Sequence, residues 1–441
     1  MNSTLRRLAR LAAFLLVFVL LLLFANTHFI KTDTYAALTL QEMKHRDDIE
    51  LAVVGSSLVR DHFNAALISE KTGLNAFSAA VPGLSLQGFL ALTKELYLTN
   101  DPAYTVLVLE PYNFDTLKED PNAQYKLMPY LTGLKARTDY YRDLVKEDGQ
   151  YVDRFLMFRG FGAESPADVL KTIGLRYWPE KTYARIKDSL PKTMVYEGHG
   201  FLRHLSEGQS EALVRESMMR EPDLGYYYEI FDSSKELLLR YKALCEEKGS
   251  KLLIVLFPNL TAHALAEPGF LPYMESLMRF CRHNDIECYN FQYAKPELMP
   301  NLDSYSYDLY HLNGEGADLF SGIFADFFTR WREGEDLHPL FYNNVNEYLA
   351  SIDFITNVWL NEEDGLLTAD CNRGPSVTPL YRFTVRDAAG NETLLQDYAE
   401  NAVLDPASVP ADSIPVVYAV PKENPDAKPV YYDLPPVTPG T

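Results

Sequence analysis

Three short, nearly continuous apolar runs constrain this chain more than any other feature: residues 49–55 (IELAVVG), 104–110 (YTVLVLE) and 251–257 (KLLIVLF). Each is too short for a buried helix and is closed by Gly55, Pro111 or Pro258, the pattern of a strand covered on both faces. The segments between them read as helices. Residues 56–73 form a turn and a helix stopped by Gly73, residues 75–80 a further strand, and Gly83 leads a helix through Leu96. Ser233-x-x-Glu236 has the form of a capping box and opens an apolar helix ending near Gly249. A helix over 273–283 and a short strand over 286–291 follow. Leu319, Phe320, Ile323, Phe324, Phe327, Phe328 and Trp331 then recur at helical spacing. Strands alternating with helices predict an α/β domain with a parallel sheet covered on both faces, whose reactive groups lie beyond the carboxyl ends of the strands.

The 441 residues exceed what one core usually organises, so a second unit is expected. Residues 120–230 lack clean alternation and read as a mostly helical insertion. From about residue 340 helical periodicity gives way to alternating segments between Gly-Asn and proline-rich turns, predicting an all-β sandwich over 339–421. A proline-rich end occupies 422–441 and reads as extended or loose. The α/β domain is assigned to 31–338.

The amino terminus sets the expected compartment. Arg6, Arg7 and Arg10 precede an apolar run over 11–25, the charged-then-apolar order of a secretory signal or signal anchor. With Leu8, Ala9 and residues 27–30 it reaches about 20 residues, the length of a span. Leu23 and Ala25 before Asn26 and Thr27 do not make the small-residue cleavage pattern, so an uncleaved single-pass anchor over 1–30 is expected, with an extracytoplasmic remainder.

A net charge of −20 argues against nucleic acid as a partner and speaks otherwise of solubility. Cys245, Cys281, Cys288 and Cys371 show no metal-type pairing. Cys245 and Cys281 fall on apolar helical stripes and read as small core residues, with a bridge between two of the four left open. His62, His199 and His204 lack ligand spacing and read as surface or packing residues. With no dinucleotide, Walker or His-Glu-x-x-His pattern, no metal or cofactor is expected.

Three separated pieces carry potential chemistry, each at a predicted strand end or before the last helix. Gly55-Ser56-Ser57-Leu58 places serines on a tight turn; alone, such a serine is more often a helix cap than a nucleophile. Asp308-Leu309-Tyr310-His311 sets a carboxylate and an imidazole in one loop, where the base can accept a serine proton and the carboxylate can fix its tautomer. Donors to a developing oxyanion could come from the Ser57 amide, Gly83 in VPGLSLQG and Asn113 in EPYNFD.

Together these strings resemble the SGNH or GDSL hydrolase superfamily, whose first block is Gly-Asp-Ser-Leu and last block Asp-x-x-His. The resemblance spans residues 45–335 and implies a three-layer, flavodoxin-like fold, with Ser57 as nucleophile, His311 and Asp308 as its dyad, and Ser57, Gly83 and Asn113 around the oxyanion. The chain departs from the pattern at Ser56, where the family has aspartate, and at Pro111, where it has glycine. Gly-Ser-Ser behind an amino-terminal anchor is similar to the DltD-like and alginate O-acetylation-like membrane-anchored branch. That branch implies an acyltransferase or esterase acting on acetyl or D-alanyl groups of a cell-envelope polysaccharide or teichoic acid, beside a polytopic membrane acyltransferase. The β-sandwich would be Ig-like. Two other readings are a non-catalytic surface scaffold that keeps the fold and a plain secreted esterase, which would gain little from a tether.

Overall fold

The computed structural model describes residues 3–31, 33–111, 123–160, 162–208, 229–267, 269–363 and 365–433. The chain opens with α1 (Ser3–His28), α2 (Thr34–Lys44), β1 (Leu51–Gly55), α3 (Ser57–His62), α4 (Ala65–Thr72), β2 (Ala76–Ala80), α5 (Leu86–Leu96) and β3 (Tyr104–Leu109). The insertion carries α6 (Ala123–Leu127), α7 (Leu134–Asp148), α8 (Tyr151–Phe155), α9 (Met157–Gly160), α10 (Pro166–Tyr177), α11 (Pro179–Asp188), β4 (Met194–Gly198) and β5 (Phe201–His204). Then come α12 (Asp232–Lys248), β6 (Lys251–Leu256), α13 (Thr261–Ala266), α14 (Phe270–His283), β7 (Cys288–Asn290), α15 (Gly314–Arg332) and α16 (Val345–Ala350).

The main sheet is parallel throughout, in the order β2-β1-β3-β6-β7. Its strands are mostly apolar on both faces because successive side chains enter different cores, with Ser78 and Thr105 the buried polar exceptions in β2 and β3. Ala52, Val54, Phe77, Ala79, Leu107, Leu109, Ile254 and Leu256 face a cluster built with α2, α5, α12 and α14. Leu51, Val53, Ala76, Ala80, Val106, Val108, Leu253 and Val255 face the opposite cluster, with α3, α4 and α15. There the phenylalanine ladder of α15 is buried: Phe63 meets Phe320 and Phe324 edge-on at 5.3 and 5.0 Å, and Phe291 meets Phe320 and Phe327 at 5.4 and 5.1 Å. Edge-to-face pairs of this kind add about 0.5–1.5 kcal/mol each beyond their buried area.

Several expectations require correction. The single helix expected after Ser56 is two, broken at Phe63-Asn64. Asn64 caps α4 through Leu67 N at 3.2 Å, and Ser321 Oγ of α15 bridges the break by accepting from Asn64 N (2.8 Å) and donating to the His62 carbonyl (2.9 Å). The capping box at Ser233 is absent: α12 starts one residue earlier, after Phe231, without a side-chain cap. The insertion is helical up to Asp188 but then forms an antiparallel β4-β5 hairpin. The hairpin turn covers the edge of β2, with Ser78 N donating to His199 O at 2.9 Å. Glu42 fixes it by accepting from Tyr196 Oη (2.7 Å) and His199 N (2.8 Å).

Residues 339–350 still belong to the α/β unit, since Tyr348 of α16 and Ile352 join its core. The β domain follows with β8 (Ile355–Glu363), β9 (Leu366–Arg373), β10 (Pro379–Arg386), β11 (Glu392–Ala399), β12 (Val403–Leu404), β13 (Ile414–Pro421) and β14 (Val430–Tyr432). Two antiparallel sheets, β12-β9-β8 and β11-β10-β13-β14, enclose Val358, Leu360, Ala369, Phe383, Val417 and Tyr432. The last strand comes from the proline-rich stretch, whose residues 430–432 are extended and paired with β13. All four cysteines are free, with Cys245 and Cys281 buried on α12 and α14. Helix α1 is long and apolar enough to cross a membrane, and the window that meets this test is not buried against the rest of the protein.

Candidate active site

Ser57 owes its position to the turn that ends β1. A Cβ on Gly55 would lie 2.5 Å from Val59 Cγ2 and 3.1 Å from the Val108 carbonyl, so the chain can pass between β3 and α3 only as glycine. Ser56 is the cap: extended, it accepts from Leu58 N at 3.4 Å and donates to Glu110 Oε1 at 3.5 Å. That division of labour releases Ser57, the first residue of α3, to face the loop before α15.

This loop is closed by a bridge between Ser306 and Leu312 and by Tyr307 N donating to His311 O at 2.9 Å. Within it Asp308 Oδ1 accepts from Tyr310 N and His311 N, each at 2.8 Å, which orients the carboxylate before it meets the ring. His311 Nδ1 lies 2.9 Å from both Asp308 oxygens, and His311 Nε2 lies 2.8 Å from Ser57 Oγ. With His311 Nδ1–H donating to the Asp308 carboxylate, Nε2 is left to accept from the serine hydroxyl.

Electrostatics reinforce this arrangement. Burial disfavours a charged His311, but the Asp308 hydrogen bond and the negative charges of Asp61 and Asp308 outweigh it, so its pKa is raised. Burial pushes the Asp308 carboxyl up, yet the His311 contact and the two backbone amides bring it below its ordinary value. Glu110, at the end of β3, is pushed up to about 7 by burial, against the charge of His311 and the Ser56 hydrogen bond.

A second polar cluster backs the first and was not anticipated. Asp61 is one helical turn from Ser57 and buried, bound in two places by Arg60 at 2.5 and 2.6 Å. Its Oδ2 lies 3.9 Å from His311 Nε2 and 3.5 Å from His204 Nε2. The Arg60 guanidinium sits 4.8 Å above the Tyr35 ring, and Tyr307 stacks on His204 at 4.3 Å. His204, at the end of β5, is therefore a buried member of the site, delivered by the hairpin. His62 is buried on Phe257, and its Nε2 accepts from Leu312 N at 2.9 Å, tying α3 to the loop that carries Asp308 and His311. Spacing could have flagged Asp61, since i and i+4 share a helix face; His204 had no local signal.

Gly83 is the third residue of a turn after β2, with φ +70° behind Pro82, and Leu84 N donates to Val81 O at 3.4 Å. Ala80 pairs with Gly55, so this turn leaves the same end of the sheet as Ser57. Asn113 lies outside the described residues. A cleft of about 280 Å³ adjoins the back of the loop, lined by Ser306, Tyr310 and Leu312 but by neither Ser57 nor His311. Among the described residues, no group of three or more His, Cys, Asp or Glu side chains is arranged to hold a metal ion. Compared with known proteins, the chain matches no family model and no curated sequence, so the chemistry rests on this geometry and on the strings that compose it.

Proposed function

We propose that this protein is a serine acyltransferase or carboxylic-ester hydrolase of the SGNH type, DltD-like in organisation, held at the membrane by α1. The observation that carries the proposal is the continuous Ser57–His311–Asp308 hydrogen-bond chain at 2.8 and 2.9 Å. Ser57 Oγ attacks the acyl carbonyl while its proton passes to His311 Nε2. The carbonyl oxygen takes the negative charge, stabilised by the Ser57 amide and, by the resemblance, Gly83 and Asn113. On collapse the bond to the leaving oxygen breaks, and that oxygen takes the proton from His311. An acyl-serine ester remains, and a sugar or polyol hydroxyl, or water, resolves it with His311 again as base. Asp308 holds the ring and stays ionised throughout.

The apolar α1 supports a single-pass anchor and an extracytoplasmic catalytic unit, which favours a cell-envelope polysaccharide or teichoic acid as acceptor, acetyl or D-alanyl as acyl group, and a polytopic membrane acyltransferase as donor partner. The Ig-like reading of the two-sheet domain belongs to the same proposal. The test is incubation of the ectodomain, wild type and Ser57→Ala, with a fluorophosphonate probe and a chromogenic acetyl ester. Labelling and turnover confined to the wild type are expected. A folded wild type that is neither labelled nor active, also with its membrane fraction added back, would sink the enzyme reading and leave a binding scaffold.

A further inference from the structure

The end of α1 is built into the insertion. Asn26 Nδ2 donates to Phe155 O at 2.8 Å, and His28 Nε2 lies 3.0 Å from Tyr177 Oη with the two rings stacked. Next to this junction a cleft of about 530 Å³ opens between Thr27 of α1, α2, the turn at 129–132, α7 and α10. Its charged lining is wholly cationic: Lys44, Arg137 and Arg176, with His45 beside them and no aspartate or glutamate, in a chain whose net charge is −20. Among the described residues none of the three cationic side chains has a hydrogen-bond or ion-pair partner; Lys44 only overlies the Tyr130 ring at 5.5 Å.

Burial lowers the pKa of Lys44, with Glu95 opposing and Arg176 adding to the effect, and burial and then Arg176 lower that of Arg137. Glu95, the carboxylate that could have answered them, is engaged by Thr132 N at 2.7 Å and Gly133 N at 3.0 Å. Tyr130, 5% exposed, lines the same cleft with a phenolic oxygen that has no partner. Three cations and an unanswered hydroxyl donor form a donor set lacking its acceptor, and such a set matches the several oxygens of a phosphate group.

We propose that the cleft bounded by Lys44, Arg137, Arg176 and Tyr130 binds the phosphate group of an anionic molecule at the membrane surface. This rests on the anchoring part of the reading above and not on the chemistry of Ser57. The phosphate can come from a phospholipid headgroup or from a phosphate-bearing envelope polymer. Exposed Tyr177 and Trp178, directly before the cleft residue Pro179, suit the interfacial layer of a bilayer and favour the lipid.

The test uses the full chain in a neutral detergent, with lipid retention read by native mass spectrometry. Dioleoyl-phosphatidylglycerol is expected to be retained at least about tenfold over dioleoylglycerol, and a Lys44→Gln/Arg137→Gln/Arg176→Gln variant to lose that preference. Arg176→Gln alone, at an exposed position, serves if the triple variant does not fold, and the circular dichroism spectrum and thermal midpoint monitor the rest of the molecule. Displacement of the lipid by soluble poly(glycerol phosphate) at equal phosphate concentration assigns the polymer as the source; resistance assigns the lipid. Equal retention of the two lipids, together with no binding of glycerol phosphate, or retention indifferent to the substitutions, overturns the proposal. Release of the chain from vesicles by alkaline carbonate would refute the anchor separately, because glycerol phosphate binding still reports on the cleft.

Discussion

Buried or crowded positive charge is handled in opposite ways at two places in this molecule. Behind the loop that carries His311, Arg60 is clamped by Asp61, and Asp61 is shared with His204 and His311, so the charges are internally answered. At the foot of α1, Lys44, Arg137 and Arg176 converge with no carboxylate lining the cleft. The first arrangement is finished and holds a geometry; the second is complete only with something from outside. Pairing therefore separates charge used for architecture from charge kept for a ligand.

Ser57→Ala should lower ester turnover by at least about a thousandfold while leaving the urea midpoint unchanged, because the hydroxyl is part of the reaction and not of the core. A large loss of stability in this variant would mean that Ser57 is structural. Asp61→Asn should cost about 3–5 kcal/mol in urea unfolding, since it leaves Arg60 buried without a counter-charge. A neutral outcome would show that the Arg60–Asp61 cluster does not brace the site.

Protonation gives the next effect. Because the pKa of His311 is raised, the acid limb of kcat/KM should fall above the ordinary imidazole range, with activity rising as the base is freed. Stability should run the other way. His311 stabilises the fold at low pH and loses that contribution as pH rises through its folded pKa. Glu110, raised from 4.5 to about 7, likewise loses stability across that interval, so Glu110→Gln should flatten the slope there in denaturant titrations. The smallest expected effect is at the cleft: Arg176→Gln should shift unfolding by no more than about 0.5 kcal/mol, and toward greater stability, by relieving repulsion on Lys44 and Arg137. Destabilisation on the scale of Asp61→Asn would erase the contrast.

The sheet was legible because its central strands are mostly apolar on both faces, and the α15 ladder because its phenylalanines keep helical spacing. Ser57, Asp308 and His311 were legible from short strings, and they meet although 254 residues separate serine from histidine. What could not be read depends on partners distant in sequence. The break at Asn64 is stabilised by Ser321 of α15, and His204 reaches Asp61 only because Glu42 and Ser78 hold the hairpin turn. Ser233 resembles a cap locally, but α12 starts at Asp232, after Phe231. Likewise, cations scattered over Lys44, Arg137 and Arg176 give no signal until three elements bring them together.

The bond from Leu312 N to His62 has a mechanical consequence. Ser57 and the tether ride on one short helix, α3, while His311 and Asp308 ride on the loop that the tether grips. Ser57 and His311 therefore cannot drift apart without stripping the buried His62 imidazole of this hydrogen bond, and on the proposed reading the reacting groups stand assembled before any substrate arrives. On that reading, control has to be exercised at the entrance, through what reaches Ser57 and from which side, rather than by switching the machinery itself on and off.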